Sequence, residues 1–253
     1  MHSISDLGIQ LSYNLRFHTF LILFVLLGSI YSVITPIFEA SDELWHYPMV
    51  QWLSKGNPLP IQDAKNVGPW KQEASQPPLY YYLMGWATFW IDTSDMPQVR
   101  TENPHANNGV ITSDGNINLV VHNPDHEAFP WRGTVLAVHL IRLLSVLMSA
   151  VTIWLTYRIP LELFPDRSYL ALGAAAINAF TPMFVFISGA VNNDNLTMTL
   201  CSLALLMVVR RLRESSESAN QRASESTKHI SEFWLSIGRW LPLGSVLGLG
   251  ALT

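Results

Sequence analysis

Cysteine is nearly missing: Cys201 is the one cysteine, so no internal disulfide and no cysteine-built metal cluster can form. Charge is also scarce, at 13% of 253 residues, against ~25% in soluble globular domains. That shortage argues against a soluble enzyme. The net charge of −4 supplies no basic surface, so no nucleic-acid partner is expected. What the chain does have is apolar residues, 49% of the total, gathered into long runs. With a mean hydropathy of +0.22, it reads as an all-α, polytopic helical membrane protein.

A helix needs about 20 mostly apolar residues to cross a bilayer core. Residues 17–37 meet that test, as do 134–157 despite His139 and Arg142. The runs 169–188 and 196–209 follow, and a fifth begins near 233 and is still apolar at Thr253. Four to five spans are therefore expected. The first has an apolar core too long for a cleavable signal peptide and lacks a small-x-small site before Pro36. Basic residues set the orientation. Segments 1–16, 158–168 and 210–232 hold Arg16, Arg158, Arg167, Arg210, Arg211, Arg213, Arg222 and Lys228. The much longer segment 38–133 has only Lys55, Lys65, Lys71, Arg100 and Arg132, with eleven acids. This pattern places the N-terminus (1–16) in the cytoplasm and 38–133 outside as a large acidic loop. The spans two to four fall within 134–213, 214–232 is a polar cytoplasmic linker, and 233–253 is a fifth span, complete or truncated. The expected location is a cell membrane.

The run 78–91, PLYYYLMGWATFWI, is short for a span and rich in rings that favour the headgroup region. Were it a span, RRLRESSESANQR would fall outside. It is expected to be an interfacial or re-entrant helix. Residues 92–133 carry Asn-Pro and Asn-Gly turn signals.

Chemistry concentrates in three stretches. The first is PIFEASDELWH, where Glu39, Asp42, Glu43 and His46 follow the first span. With Ser41 as an N-cap, Asp42 and His46 would share a helical face. Carboxylates at the membrane lip can take a proton from a hydroxyl or bind a cation. Alternatively, the acids only favour a helix's first turn. The second is EASQPPLYYY, in which Gln76-Pro77-Pro78 sets an extended turn ahead of the aromatic run. The third is SGAVNNDNL, whose Asp194 returns to the outer face and could orient an acceptor or help hold a divalent cation. Its alternative is a helix cap at Asn193 or Asp194. The sequon Asn195-Leu196-Thr197 sits at a span's mouth and is discounted.

Inside the second span, His139, Arg142, Ser145, Ser149, Thr152 and Thr156 form one polar stripe. Ser and Thr suit helix packing, but an intramembrane arginine is costly and marks a site or a buried partner. Arg142 could hold a lipid phosphate in bidentate fashion, or pair with Asp42, Glu43 or Asp194. The HNPDHE stretch has a His-x3-His spacing, but Asn123-Pro124 makes it a turn. It is expected to be a solvated loop, not a zinc site.

The order and setting of two motifs, DE after the first span and QPPLYY before an interfacial helix, resemble the C-type membrane glycosyltransferases. This superfamily includes the protein O-mannosyltransferases and the lipid A aminoarabinose transferases. The matching positions are Pro36, Glu39, Asp42, Glu43 and His46, then Gln76 to Tyr81, then Asn192 with Asp194. The resemblance covers roughly residues 17–213, with 92–133 matching poorly. It implies transfer of a sugar from a polyprenyl-phosphate-linked donor to an unspecified acceptor at the outer face, next to membrane lipid. It casts Asp42 as the general base with Glu43 as its catalytic neighbour. Glu39, His46, Gln76, Arg142 and Asp194 become substrate-binding candidates. A divalent cation, magnesium or manganese, is a possible cofactor on Asp42 and Asp194. The family commonly has seven or more spans, so the resemblance implies that the chain is an N-terminal portion. Competing readings are a transporter, whose site would normally lie near the midplane of a repeat, and a non-catalytic membrane subunit.

Overall fold

The computed structural model describes residues 4–40, 42–63, 65, 67–106, 118–222 and 242–253. Among the described residues all regular elements are helical. They include α1 (Ile4–Ile34), α2 (Glu43–Ser54), a 3-10 turn (Lys71–Ser75), α3 (Leu79–Thr88), α4 (Met96–Val99), α5 (Pro124–Glu127), α6 (Gly133–Leu163), α7 (Ser168–Ala179), α8 (Pro182–Ser188) and α9 (Asp194–Arg222). One isolated antiparallel bridge joins Glu102 and Val120.

Among the described residues, three helices are long and apolar enough to cross a membrane: Ser12–Ile34, Gly133–Leu163 and Asp194–Ser218. The helices α7 and α8 pass that test only as a pair separated by a short break, giving up to four spans. These correspond to the first four apolar runs. Of the fifth run, 233–241 lies outside the described residues, and 242–250 is helical. The run 78–91 contains only the ten-residue α3, too short to span. Its outer face exposes Trp86, Phe89 and Trp90, while Tyr80, Tyr81 and Met84 are buried.

Helix α9 continues to Arg222, into the stretch read as a polar linker from 214 onward. The reason is local: Arg211 pairs with Glu214 at 2.8 Å and Arg213 with Glu217 at 2.9 Å. These are i,i+3 and i,i+4 spacings that support a helix.

The chain divides into two compact units. One comprises Met1–Phe24, Ser149–Thr181 and Thr197–Leu252. Here Phe17 stacks on Tyr157 with ring centroids 4.0 Å apart, and the Tyr157 hydroxyl donates to Asn14 Oδ1 at 3.0 Å. The lower half of the polar stripe serves packing, with Thr152 bonded to Thr199 and Asn178 donating to Thr156. At one end Glu162 gathers Arg158, Arg210 and Arg213.

The other unit comprises Val25–Met148, Pro182–Leu196 and Thr253. It contains the whole 38–133 segment and every site candidate. Gly85 of α3 lies against the backbone of α2, where a Cβ would come within 3.2 Å of Ser54 N and 3.3 Å of Val50 O. Helix α2 carries Pro48 in its interior, which removes the N–H that would bond to the Leu44 carbonyl. Arg100 Nε fills that place, donating to Leu44 O at 2.9 Å, and its NH2 donates to Pro69 O at 3.1 Å. Helix α6 starts at Gly133, whose φ of 52° favours glycine. A Cβ there would run into the Asp95 carboxylate, which caps α6 by accepting from Thr134 N at 2.9 Å and Thr134 Oγ1 at 2.7 Å.

Candidate active site

Helix α1 stops just before Pro36, and its last carbonyls need partners. Arg142 supplies them from α6. Its NH1 donates to Ser32 O at 2.9 Å and Thr35 O at 2.6 Å, and its NH2 to Pro36 O at 3.0 Å. The remaining two N–H groups grip Glu43: Nε to Oε2 at 2.9 Å and NH2 to Oε1 at 2.6 Å. Both side chains are wholly buried. A guanidinium has five N–H donors, and all five are used inside the protein. Arg142 is thus the buried partner of Glu43, with no donor left over for a phosphate in this arrangement.

Glu43 is equally committed. Besides Arg142, its Oε1 accepts from Phe38 N at 2.9 Å and its Oε2 from Val191 N at 2.8 Å. It ties the end of α1, the start of α2, α6 and the turn before α9 to one point.

The adjacent acid has a different setting. Asp42 adopts a left-handed conformation, φ 49° and ψ −2°, at the start of α2 and makes no side-chain capping bond there. Aspartate tolerates that region better than most residues. Its carbonyl accepts from Trp45 N at 2.8 Å and His46 N at 2.9 Å, and the residue is half-buried. The backbone reversal turns two neighbouring acids to separate tasks. Ser41 lies outside the described residues.

His46 is buried one turn further on. Its Nδ1 lies 2.8 Å from the Tyr81 hydroxyl and 3.5 Å from Glu73 Oε2. Burial pushes its pKa down to about 4, with Asp42 and Glu43 pulling weakly the other way. Glu73 was not singled out in the sequence. It sits in the 3-10 turn with its carboxylate 6% exposed. Burial raises its pKa, and the negative charges of Asp42 and Asp194 add to the rise, while hydrogen bonds from Gln72 and Gln76 oppose it. The charges of Asp42 and Asp194 thus reach the Glu73 carboxylate from elements distant in sequence, and Gln76 is exposed. Such neighbours make the Glu73 carboxyl hold its proton more tightly than a lone carboxylate does.

Asp194 is exposed at the first turn of α9. Its N–H donates to Asn192 Oδ1 at 2.8 Å, the local turn expected of an Asn two residues earlier. Asn192 N–H in turn donates to the Tyr80 hydroxyl at 3.2 Å, which bonds Ser145 Oγ at 2.9 Å. Asn195 Nδ2 covers the carbonyls of Ile187, Ala190 and Asn192. Burial pushes the Tyr80 and Tyr81 hydroxyls above the ordinary phenol range, so both stay protonated as hydrogen-bonding groups.

Glu39 serves elsewhere. Its carboxylate accepts from Leu119 N at 2.8 Å, Val120 N at 3.1 Å and His122 Nε2 at 2.9 Å. His122 Nδ1 reaches Glu127 at 2.9 Å. The HNPDHE stretch is therefore pinned rather than solvated at His122, although no residue of α5 itself is buried. Among the described residues, no three His, Cys, Asp or Glu side chains are grouped to hold a metal ion.

Comparison with protein-family models matches residues 137–219 to "Dolichyl-phosphate-mannose-protein mannosyltransferase". The match supports the C-type membrane glycosyltransferase superfamily that the two outer motifs resemble, although the matched residues contain neither motif. It begins in α6, takes in Arg142 and Asp194, and ends within α9. No curated protein and no solved structure matches the chain.

Proposed function

With a multi-pass membrane glycosyltransferase of the C-type superfamily as the premise, we propose that the complete protein moves a sugar from a polyprenyl-phosphate carrier to an acceptor hydroxyl. The reaction takes place on the extracytoplasmic face, with the N-terminus in the cytoplasm and Asp42 as general base. The observation that carries this reading is the division of labour in the DE pair. Glu43 is saturated by Arg142 and two backbone N–H groups, so the half-buried Asp42 beside it is the acid with a face toward solvent. The family description names a sugar on a polyprenyl phosphate, which supports the donor class.

In the step, the acceptor oxygen attacks the anomeric carbon as the bond from that carbon to the phosphate oxygen breaks. The hydroxyl proton passes to the Asp42 carboxylate, and polyprenyl phosphate leaves with the bonding pair. One displacement inverts the anomeric centre. Glu73, whose pKa burial raises, stands beside His46 in the same acid group. Asp194 and Gln76 lie on the rim and orient the acceptor.

The test is transfer from radiolabelled polyprenyl-phosphate sugar in membranes carrying the full-length protein. Asp42→Asn at equal expression is expected to lower transfer by about 10²–10⁴-fold, the range for a lost general base. Unchanged transfer removes Asp42 from the chemistry. A transporter would instead keep transfer absent in wild type and show altered flux.

A further inference from the structure

Outside the acid group, the segment that follows α2 borders a cavity. It has a volume of about 310 Å³ and is lined by Trp52, Pro60, Gln62, Asp63, Trp70 and Lys71, among others. Its size reaches the lower bound of small-molecule sites, which start near ~300 Å³. All of its walls belong to one compact unit.

Several of these residues are held by contacts of their own. The Trp52 indole N–H donates to Pro58 O at 2.6 Å, fixing the ring, while Asn57 Nδ2 bonds Trp52 O at 2.9 Å. Trp70 lies edge-on to Trp52, with centroids 5.3 Å apart. Gly68 is what allows this, because a Cβ there would overlap the Trp70 indole. The backbone between them is anchored where Arg100 bonds Pro69 O. Asp63 closes a turn by accepting from Lys65 N at 2.9 Å. Lys71 sits 4.5 Å from the centroid of the Trp45 ring. Both indoles remain half-buried, so part of each ring faces the opening, and Gln62, Asp63 and Lys71 are exposed beside them.

We propose that this cavity is a saccharide subsite that takes one pyranose ring of the acceptor. The apolar face of a sugar ring matches an indole, and its hydroxyls match a carboxylate, an amide and an ammonium placed around the rim. Aromatic rings with a few convergent polar groups are the chemistry of such a pocket. The choice of acceptor over donor follows from position. The cavity is formed by α2, the 3-10 turn and the segment between them, and by no membrane span, so a ring held there comes from the aqueous side. It is also joined to the acid group: the 3-10 turn that contributes Lys71 to the cavity carries Glu73 two residues later. The choice of a saccharide rests on the proposed transferase activity; the existence and rigidity of the cavity do not.

The test is saturation-transfer NMR on the full chain in nanodiscs, with methyl α-mannopyranoside and methyl β-glucopyranoside as probes. Wild type is expected to transfer saturation to the ring protons of at least one probe. Trp70→Ala should weaken that binding about tenfold or more, and Asp63→Asn should weaken it measurably. If Trp70→Ala lowers the unfolding midpoint, Asp63→Asn and Trp52→Phe carry the comparison. No signal from either glycoside with wild type, or equal affinity in all variants, overturns the subsite. Adding a polyprenyl-phosphate-linked sugar should leave the bound glycoside in place; displacement overturns the assignment to the acceptor. Asp42→Asn should bind the glycoside as wild type does. A failed subsite is thereby separated from a failed transfer reading, which rests on the Asp42 assay alone.

Discussion

Replacing Arg142 with methionine removes the guanidinium from a pair in which both partners are fully buried. Glu43 keeps two backbone N–H donors, from Phe38 and Val191, but loses its only bidentate partner. Breaking a buried pair from one side typically costs about 3–5 kcal/mol. The α1 terminus suffers less evenly. Ser32 O still has His139 Nδ1 at 3.0 Å, and Pro36 O still accepts from Glu39 N. Thr35 O, part-buried, loses the 2.6 Å bond, which adds at most the ~1–3 kcal/mol of an orphaned buried carbonyl. Against a total stability on the order of 5–15 kcal/mol, the loss should be conspicuous. Glu43→Leu combined with Arg142→Met removes both charges and should recover most of it. The measurement is guanidinium unfolding in detergent followed by helical circular dichroism, with the midpoint and slope giving the free energy. Two results refute the reasoning: a single variant as stable as wild type, or a double variant no better than the single. Were Arg142 a phosphate ligand instead, the single variant would lose transfer at unchanged stability.

Pro48→Ala restores the N–H that α2 lacks, so Arg100→Ala, expected to cost ~1–3 kcal/mol for the orphaned Leu44 carbonyl, should cost less in the Pro48→Ala background; equal costs in a double-mutant cycle would contradict this. Gly133→Ala forces a side chain into a left-handed conformation, worth ~1–2 kcal/mol, and displaces the Asp95 cap, worth ~1 kcal/mol, both read from the unfolding midpoint. His46 is held neutral, with its folded pKa lowered from 6.5 to about 4. Its contribution is present above pH 6.5 and is lost as pH falls toward 4, and His46→Gln should flatten the wild-type loss of stability across that window. Glu73 works in the opposite direction: its raised pKa means stability is lost as pH climbs above the usual carboxylate range. Glu73→Gln should therefore gain on wild type with rising pH, and a constant difference would sink the assignment.

The membrane class and the spans were legible because apolar runs and their length are local properties of the sequence. Arg142 was legible too, since a cation inside an apolar run stands out whatever its partner. Its partner was not: Glu43 and Asp42 are adjacent and chemically alike, and only the left-handed backbone at Asp42 separates them. Glu73 escaped notice because its meaning comes from His46, Asp42 and Asp194, none near it in sequence. Glu39 resembled its acidic neighbours, yet it holds residues 119–122. That pairing crosses a segment with no periodic pattern. The extension of α9 was readable in principle, as the Arg-Glu spacings are in the sequence, but the Ser-rich composition of 214–229 outweighed them.

Helices α2 and α9 both begin at site carboxylates, one just after Asp42 and the other at Asp194. Each start carries about half a positive charge from its aligned peptides, so together they come near one unit. At the end of α1, where the aligned peptides leave the opposite sign, the Arg142 guanidinium covers the terminal carbonyls. The peptide skeleton thus lays out a field that is positive where the Asp42 and Asp194 carboxylates stand. Because that contribution comes from backbone, it survives any side-chain substitution that leaves the helices intact. Salt should weaken it only to the extent that water reaches the helix ends.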